Sequence, residues 1–258
     1  SMFFVDEEGT ESSMRGVREV IEAKGLFCSF YSDRGSHYWH TPHAGGKVDK
    51  QNLTQFGRAM QHLGIEMIAA YSPEARGRSE RAFATHQARL PKELALMGIR
   101  TQEAANRYLK EAYLPAFNAE FAHAAREEGS AFVPYTGMNL EEILCEQYER
   151  KANADNCVQF RNLIFQIPAD TFRCNYVKTT ITIHRYGSGS YGLFHGPRLL
   201  AHYDATGRRR ETGTTMTADI RSTAAPREGL RATPSAPSLG LEKADNSCAK
   251  KTGQFICY

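Results

Sequence analysis

Over its first half the chain alternates short apolar runs with stretches whose apolar residues recur every three or four positions. Residues 2–6 (MFFVD) read as a short strand. Met14, Val17, Val20 and Ile21 then share one helical face, entered at Gly9-Thr10 and stopped by Gly25. Residues 26–32 (LFCSFYS) form a continuous apolar and aromatic run of buried-strand length that ends directly on Asp33. A Gly- and His-rich stretch from Gly35 to Lys47 is expected to be irregular. Leu53, Phe56, Met60 and Leu63 recover helical spacing up to Gly64, and residues 65–70 form another short apolar strand. After the loop 71–78 a helix is expected from near Ser79 toward Leu90. Pro91 and Gly98 should break it before a second long helix over about 101–128.

Strands alternating with helices imply an α/β sheet with helices packed on it. From Gly129 the character changes. A short acidic helix is expected over 140–150, followed by three β-branched and aromatic segments, 158–167, 176–186 and 191–203, with Gly-rich turns such as 187–190 between them. This predicts a small all-β unit. Beyond Gly207 the chain is rich in Thr, Ala, Pro, Ser and Gly without apolar periodicity, so residues 211–258 are expected to be a disordered tail. The pattern therefore divides the chain into 1–128, 129–210 and 211–258.

A length of 258 residues accommodates two folded units. With 41% hydrophobic and 24% charged residues, and no apolar run near the roughly 18 residues of a membrane span, a membrane protein is excluded. The start, Ser1-Met-Phe-Phe-Val-Asp6, has neither the basic flank nor the cleavage site of a signal peptide, which predicts a cytoplasmic protein. The six cysteines are scattered without a CxxC pair, as expected of reduced thiols rather than a zinc ribbon or a disulfide framework. Cys28, Cys157 and Cys174 fall in expected strands and read as buried thiols. A net charge of +3 says little about nucleic acid, although basic residues cluster at Arg76, Arg78, Arg81 and Arg89 and again at Arg208, Arg209 and Arg210.

Two carboxylates stand out. Asp33 sits where a buried strand leaves the sheet, the edge at which open α/β folds bind ligands; Asp-Arg-Gly is equally a good turn, with Asp33 its cap. Glu80 is placed in the first turn of a helix, where carboxylates also serve simply to complement the helix dipole. A strand-end Asp, a helix, a strand and a Glu on the next helix can together bring two hard oxygen ligands to one sheet edge. Such ligands suit Mg²⁺ or Mn²⁺, and two ions about 3.5–4 Å apart activate an attacking hydroxyl and stabilise the leaving oxygen of a phosphodiester. Arg76, Arg78 and Arg81 flank Glu80 and suit phosphate contacts, as do Lys47 and Lys50 on the loop, with solvated side chains as the alternative. His37, His40 and His43 suggest either a zinc site or a loop that lies along DNA. Tyr38 and Trp39 either stack on a base or pack in the core. Arg161, Lys178, His184, Arg185 and Arg198 form a basic face of the β unit or merely follow strand alternation.

The run 31–38 (YSDRGSHY), the 46 residues between the two acids and the run 70–81 (AYSPEARGRSER) resemble the integrase-core transposases of bacterial insertion sequences. The resemblance covers about residues 1–210 and is most specific around Glu80. It implies an RNase H-like α/β core followed by a small barrel-like β domain. It makes Asp33 the second and Glu80 the third acid of an Asp-Asp-Glu triad, with Pro73, Gly77 and Arg78 in the loop before the catalytic helix. The family's first acid lies on a strand upstream of one like Met2-Val5, and no residue here matches it. An N-terminally truncated core, lacking its first strand or strands, is therefore expected. By resemblance the activity is DNA transposition and integration: Mg²⁺-dependent phosphodiester hydrolysis and strand transfer on double-stranded element ends and target, by a homo-oligomer in the cytoplasm, associated with the nucleoid. The alternative is a non-catalytic DNA-binding or interfering remnant. A ribonuclease acting on RNA–DNA hybrids would leave the appended β unit unexplained.

Overall fold

In the structure, a computed structural model describing residues 1–43, 45–122, 129–169, 171–210 and 254–257, the expected alternation takes shape as β1 (Met2–Val5), α1 (Thr10–Lys24), β2 (Ser29–Ser32), α2 (Gln55–His62), β3 (Glu66–Ala69) and α3 (Pro73–Leu96). The side chains of residues 73–76, 78, 79 and 254–257 are outside that description. Gly25 ends α1 with φ +102°, a conformation L side chains rarely adopt. Its missing Cβ also lets the Val133 carbonyl approach and accept the Leu26 N–H at 2.7 Å. The strands β2 and β3 are parallel neighbours, Phe30 beside Met67 and Ser32 beside Ala69, with α2 in the connection between them.

The apolar faces read from the sequence close into one core. Val17, Phe56, Ala59 and Met60 are wholly buried, against Met14, Ile21, Phe30, Tyr38, Trp39 and Ile65. Tyr38 and Trp39 are thus core residues; their rings leave no face for a base, and the Trp39 indole N–H donates to the Ser32 hydroxyl at 2.9 Å. Thr54 caps α2: its hydroxyl oxygen accepts the Gly57 N–H at 3.0 Å and its hydroxyl hydrogen reaches the Tyr38 carbonyl at 3.0 Å. Thr54→Ala removes both bonds and is expected to cost about 1–2 kcal/mol, seen as a lower urea midpoint with an unchanged slope.

The helix α3 departs from expectation at both ends. It begins at Pro73 rather than near Ser79, and it runs through Pro91. Proline is at home in a first turn, where its missing N–H has no partner to lose. Pro91 forfeits a bond to the carbonyl of Gln87, an exposed residue where water substitutes. Leu90, fully buried with Met2, Leu109 and Tyr113, anchors the helix beside it. The expected second helix is α4 (Gln102–Tyr108) and α5 (Leu114–Phe121), joined by a π-helical turn over Leu109–Tyr113. Pro115 cannot donate back to Glu111, so the hydrogen-bond ladder widens just ahead of it. Residues 123–128 of that expected helix lie outside the described residues.

The β-rich part comprises α6 (Leu140–Ile143), β4 (Glu146–Lys151), β5 (Cys157–Phe160), β6 (Leu163–Gln166), β7 (Thr180–Arg185), β8 (Tyr191–His195), β9 (Arg198–Tyr203) and β10 (Arg209–Arg210). The helix expected over 140–150 is cut to one turn. Glu146–Lys151, although rich in good helix formers, pairs along its whole length with β7, because the ladder outweighs intrinsic propensity. The five-stranded antiparallel sheet runs β10-β9-β8-β7-β4. One face, with Ile181, Ile183, Tyr191, Leu193, Ala201 and Tyr203, packs under the β5–β6 hairpin through Val158, Phe160 and Phe165.

The opposite face receives α6. The Glu142 carboxylate accepts from His184 Nδ1–H at 2.8 Å and from the Tyr186 hydroxyl at 2.9 Å. A Cβ at Gly192 would stand 2.5 Å from that hydroxyl oxygen, so glycine is what lets Tyr186 reach the acid. Arg58 and Gln55 of α2 join the two parts. Arg58 donates to the Ile143 and Cys145 carbonyls at 3.1 and 2.5 Å. The Gln55 amide exchanges two bonds with the Gln147 backbone, at 2.7 and 2.9 Å.

Within the segment 211–258, β11 (Gln254–Cys257) pairs antiparallel with β1, a strand that composition alone did not indicate. The rest of that segment lies outside the described residues. Cys157 is buried as expected, whereas Cys28 precedes β2 and Cys174 sits in a loop, both exposed. Residues adjacent to strands do not inherit their burial. Among the described residues no helix is long and apolar enough to cross a membrane.

Candidate active site

The parallel pair β2–β3 sets one edge. The Ala70 N–H donates to the Ser32 carbonyl at 2.8 Å, so both strands end together. Asp33 is the next residue after β2, and α3 begins four residues after β3. Glu80 is the eighth residue of α3, about 10 Å along the helix at 1.5 Å per residue. It therefore lies beyond the first turn, where the helix dipole acts on a side chain, and it is exposed. The capping reading of Glu80 loses its basis.

Asp33 does act as a turn residue: its Oδ1 accepts the Gly35 N–H at 2.9 Å. A Cβ on Gly35 would stand 3.0 Å from both that oxygen and the His37 ring, so glycine keeps the loop tight against the acid. Arg34, which the sequence reading did not single out, stitches the loop together. Its guanidinium donates to the carbonyls of Gly45 and Gly46 at 3.4 and 3.0 Å and lies 5.3 Å above the Tyr71 ring. The Tyr71 hydroxyl in turn accepts the Val48 N–H at 3.2 Å. Residues 45–48 of the loop, the end of β2 and the approach to α3 are thereby tied together. The signal was present as Asp-Arg-Gly and Ala-Tyr-Ser-Pro, but the contacts span many residues of sequence.

The three histidines do not converge. His37 lies half-buried on Tyr38, its Nε2 without a hydrogen bond and 3.7 Å from the Glu8 carboxylate, while His40 and His43 are exposed. Among the described residues no three His, Cys, Asp or Glu side chains are grouped to hold a metal. A zinc site at these histidines gains no support. Asp33 follows β2 directly and Glu80 lies about two turns into α3; carboxylates suit Mg²⁺, which commonly takes one or two together with water and phosphate oxygens.

In the comparisons with known proteins no family model matches the chain. It is 28% identical over 191 residues to y4bF of Sinorhizobium fredii, named as a transposase, covering 72% of this chain and 40% of that protein. It is 28% identical over 209 residues to the transposase for insertion sequence IS1202 of Streptococcus pneumoniae, covering 78% of this chain and 44% of that protein. The chain resembles insertion-sequence transposases. It spans about two-fifths of the length of these relatives.

The basic residues of this transposase-like chain separate into different settings. Lys47 is exposed on the stitched loop and Arg81 is exposed on α3, where its Nε–H reaches the Gly77 carbonyl at 3.0 Å. The side chains of Arg76 and Arg78 lie outside the described residues. Among the described residues of the β part, the basic residues named from the sequence stand in different settings. His184 is buried on Glu142, Arg185 is paired with Glu146 at 2.9 Å, and Arg161 and Lys178 occupy positive-φ turn positions. Arg198 alone leans on an exposed aromatic ring.

Proposed function

We propose that the chain contributes to DNA transposition, with Asp33 and Glu80 as metal-holding carboxylates at the shared end of β2 and β3. The observation that carries this is the joint ending of the two parallel strands, from which one acid follows directly and the other rises on the next helix. Similarity to transposases over most of the chain supports the same reading. In it the fold is an RNase H-like α/β core, the double-stranded DNA of element ends and target is the partner, and the protein works as a homo-oligomer. Divalent metal, when bound, would polarise the phosphodiester and the attacking hydroxyl. The residues of the chain hold and place: Asp33 and Glu80 present hard oxygens, Arg34 and Tyr71 fix the loop beside them, and Lys47 and Arg81, with Arg76 and Arg78, contact phosphate.

Uptake of Mn²⁺ by the chain bound to a short duplex, followed through the free-ion paramagnetic resonance signal, tests the assignment. Uptake is expected to fall in Asp33→Asn and again in Glu80→Gln; equal uptake by both variants and the parent would overturn it.

A second reading, a non-catalytic DNA-binding or interfering remnant, is favoured by one observation: the described residues group no three metal-ligating side chains. Mg²⁺-dependent cleavage of DNA by the purified chain alone would exclude it.

A further inference from the structure

We infer that the tip of the β8–β9 hairpin and the loop ahead of β7 form a stacking platform for an unpaired base of a DNA strand. Five side chains meet there. The guanidinium of Arg198, the first residue of β9, lies 4.1 Å from the centre of the Phe172 ring, and that ring is 80% exposed. Arg173, beside it in sequence, lies 5.3 Å over the ring of Tyr176. Tyr176 is buried and meets His195 edge-on at 5.4 Å between ring centres. His195 and Arg198 are partners across the hairpin, so the two cation–aromatic pairs are bound to one turn.

A phenylalanine left in water forgoes the burial that normally places it in a core. Here a cation holds the ring in place while most of its surface stays open. The sequence around it is net basic: residues 170–178 contain Arg173 and Lys178 against the single acid Asp170, and Arg198 joins them from the hairpin. An aromatic face flanked by arginines offers a base something to stack on and its phosphates something to pair with, without reading sequence. An acidic peptide would use the charges and leave the ring unexplained. Blunt duplex would likewise reach the arginines with its bases already stacked. The inference rests on DNA as the partner and adds that unpaired nucleotides, such as those at a cleaved or frayed end, are what this surface engages.

The test is fluorescence anisotropy with the whole chain, using a short blunt duplex and the same duplex carrying a single-stranded thymine tail. The tail is expected to strengthen binding. Phe172→Ala should abolish that gain, about tenfold or more, and leave blunt-duplex binding intact, whereas Phe172→Trp should keep the gain. Both changes fall at an exposed site, and unaltered thermal midpoints verify the fold. A tail preference unchanged in Phe172→Ala, or competition by heparin as strong as by a thymine oligonucleotide, would overturn the platform while DNA remains the partner. Failure of the parent chain to bind either probe would overturn both readings.

Discussion

In a protein carrying the complete Asp-Asp-Glu triad, joining of a labelled DNA end to a target duplex is expected to fall by about 100- to 1,000-fold in Asp33→Asn and in Glu80→Gln, the scale on which loss of one preorganised electrostatic contact at a reacting phosphate or carbonyl is felt. The two substitutions are informative because they are structurally mild. Asparagine retains an oxygen that can accept the Gly35 N–H, so the turn after β2 survives while the negative charge is lost. Asp33→Ala removes both and should in addition lower the unfolding free energy by about 1 kcal/mol. If Asp33 were only a turn cap, Asp33→Asn would be silent in every assay and Asp33→Ala would affect stability alone. Glu80 is exposed on the body of α3, so Glu80→Gln should leave stability unchanged. Joining that proceeds at the parental rate in either conservative variant would remove that acid from the reaction.

Glu142→Ala is expected to lower the unfolding free energy by about 3 kcal/mol, since it strands His184 and Tyr186 with polar groups facing a cavity. The parent should show the matching acid sensitivity. Burial pushes the Glu142 carboxyl upward, but hydrogen bonds from His184 and Tyr186, with the charges of His184 and His202, hold it below its usual value. A carboxyl depressed in the folded state binds its proton more readily when unfolded. Its contribution is therefore complete above the unfolded pKa and is lost as pH falls through the folded one. Thermal midpoints measured from about pH 6 down to about pH 3 should drop more steeply in the parent than in Glu142→Gln. Parallel curves would show that the carboxylate does not stabilise the α6 contact.

Much of the first core was legible because its periodicities are strong and its stops unambiguous. Phe56 and Met60 mark the buried side of α2, and Gly25 and Gly64 end helices where expected. What escaped was set by partners distant in sequence. Glu146–Lys151 carries helix-forming residues and becomes a strand only because β7 lies beside it. Pro91 reads as a breaker in isolation, yet Leu90 holds the helix against Met2, Leu109 and Tyr113. Cys28 and Cys174 looked internal from neighbouring strand residues and are exposed. At the candidate site the two acids were visible in their motifs. The support around them was not: Arg34 is secured by carbonyls 11 and 12 residues away, and Phe172 reveals itself only when its ring is seen outside the core.

The reciprocal hydrogen bonds between Gln55 and Gln147 give the molecule a mechanical coupling. A side-chain amide that both donates to and accepts from the backbone of one residue resists sliding in either direction, much as a rung of ladder does, and Arg58 pins the same helix one turn later. A displacement of β4 would therefore act directly on α2, the crossover whose far end feeds β3.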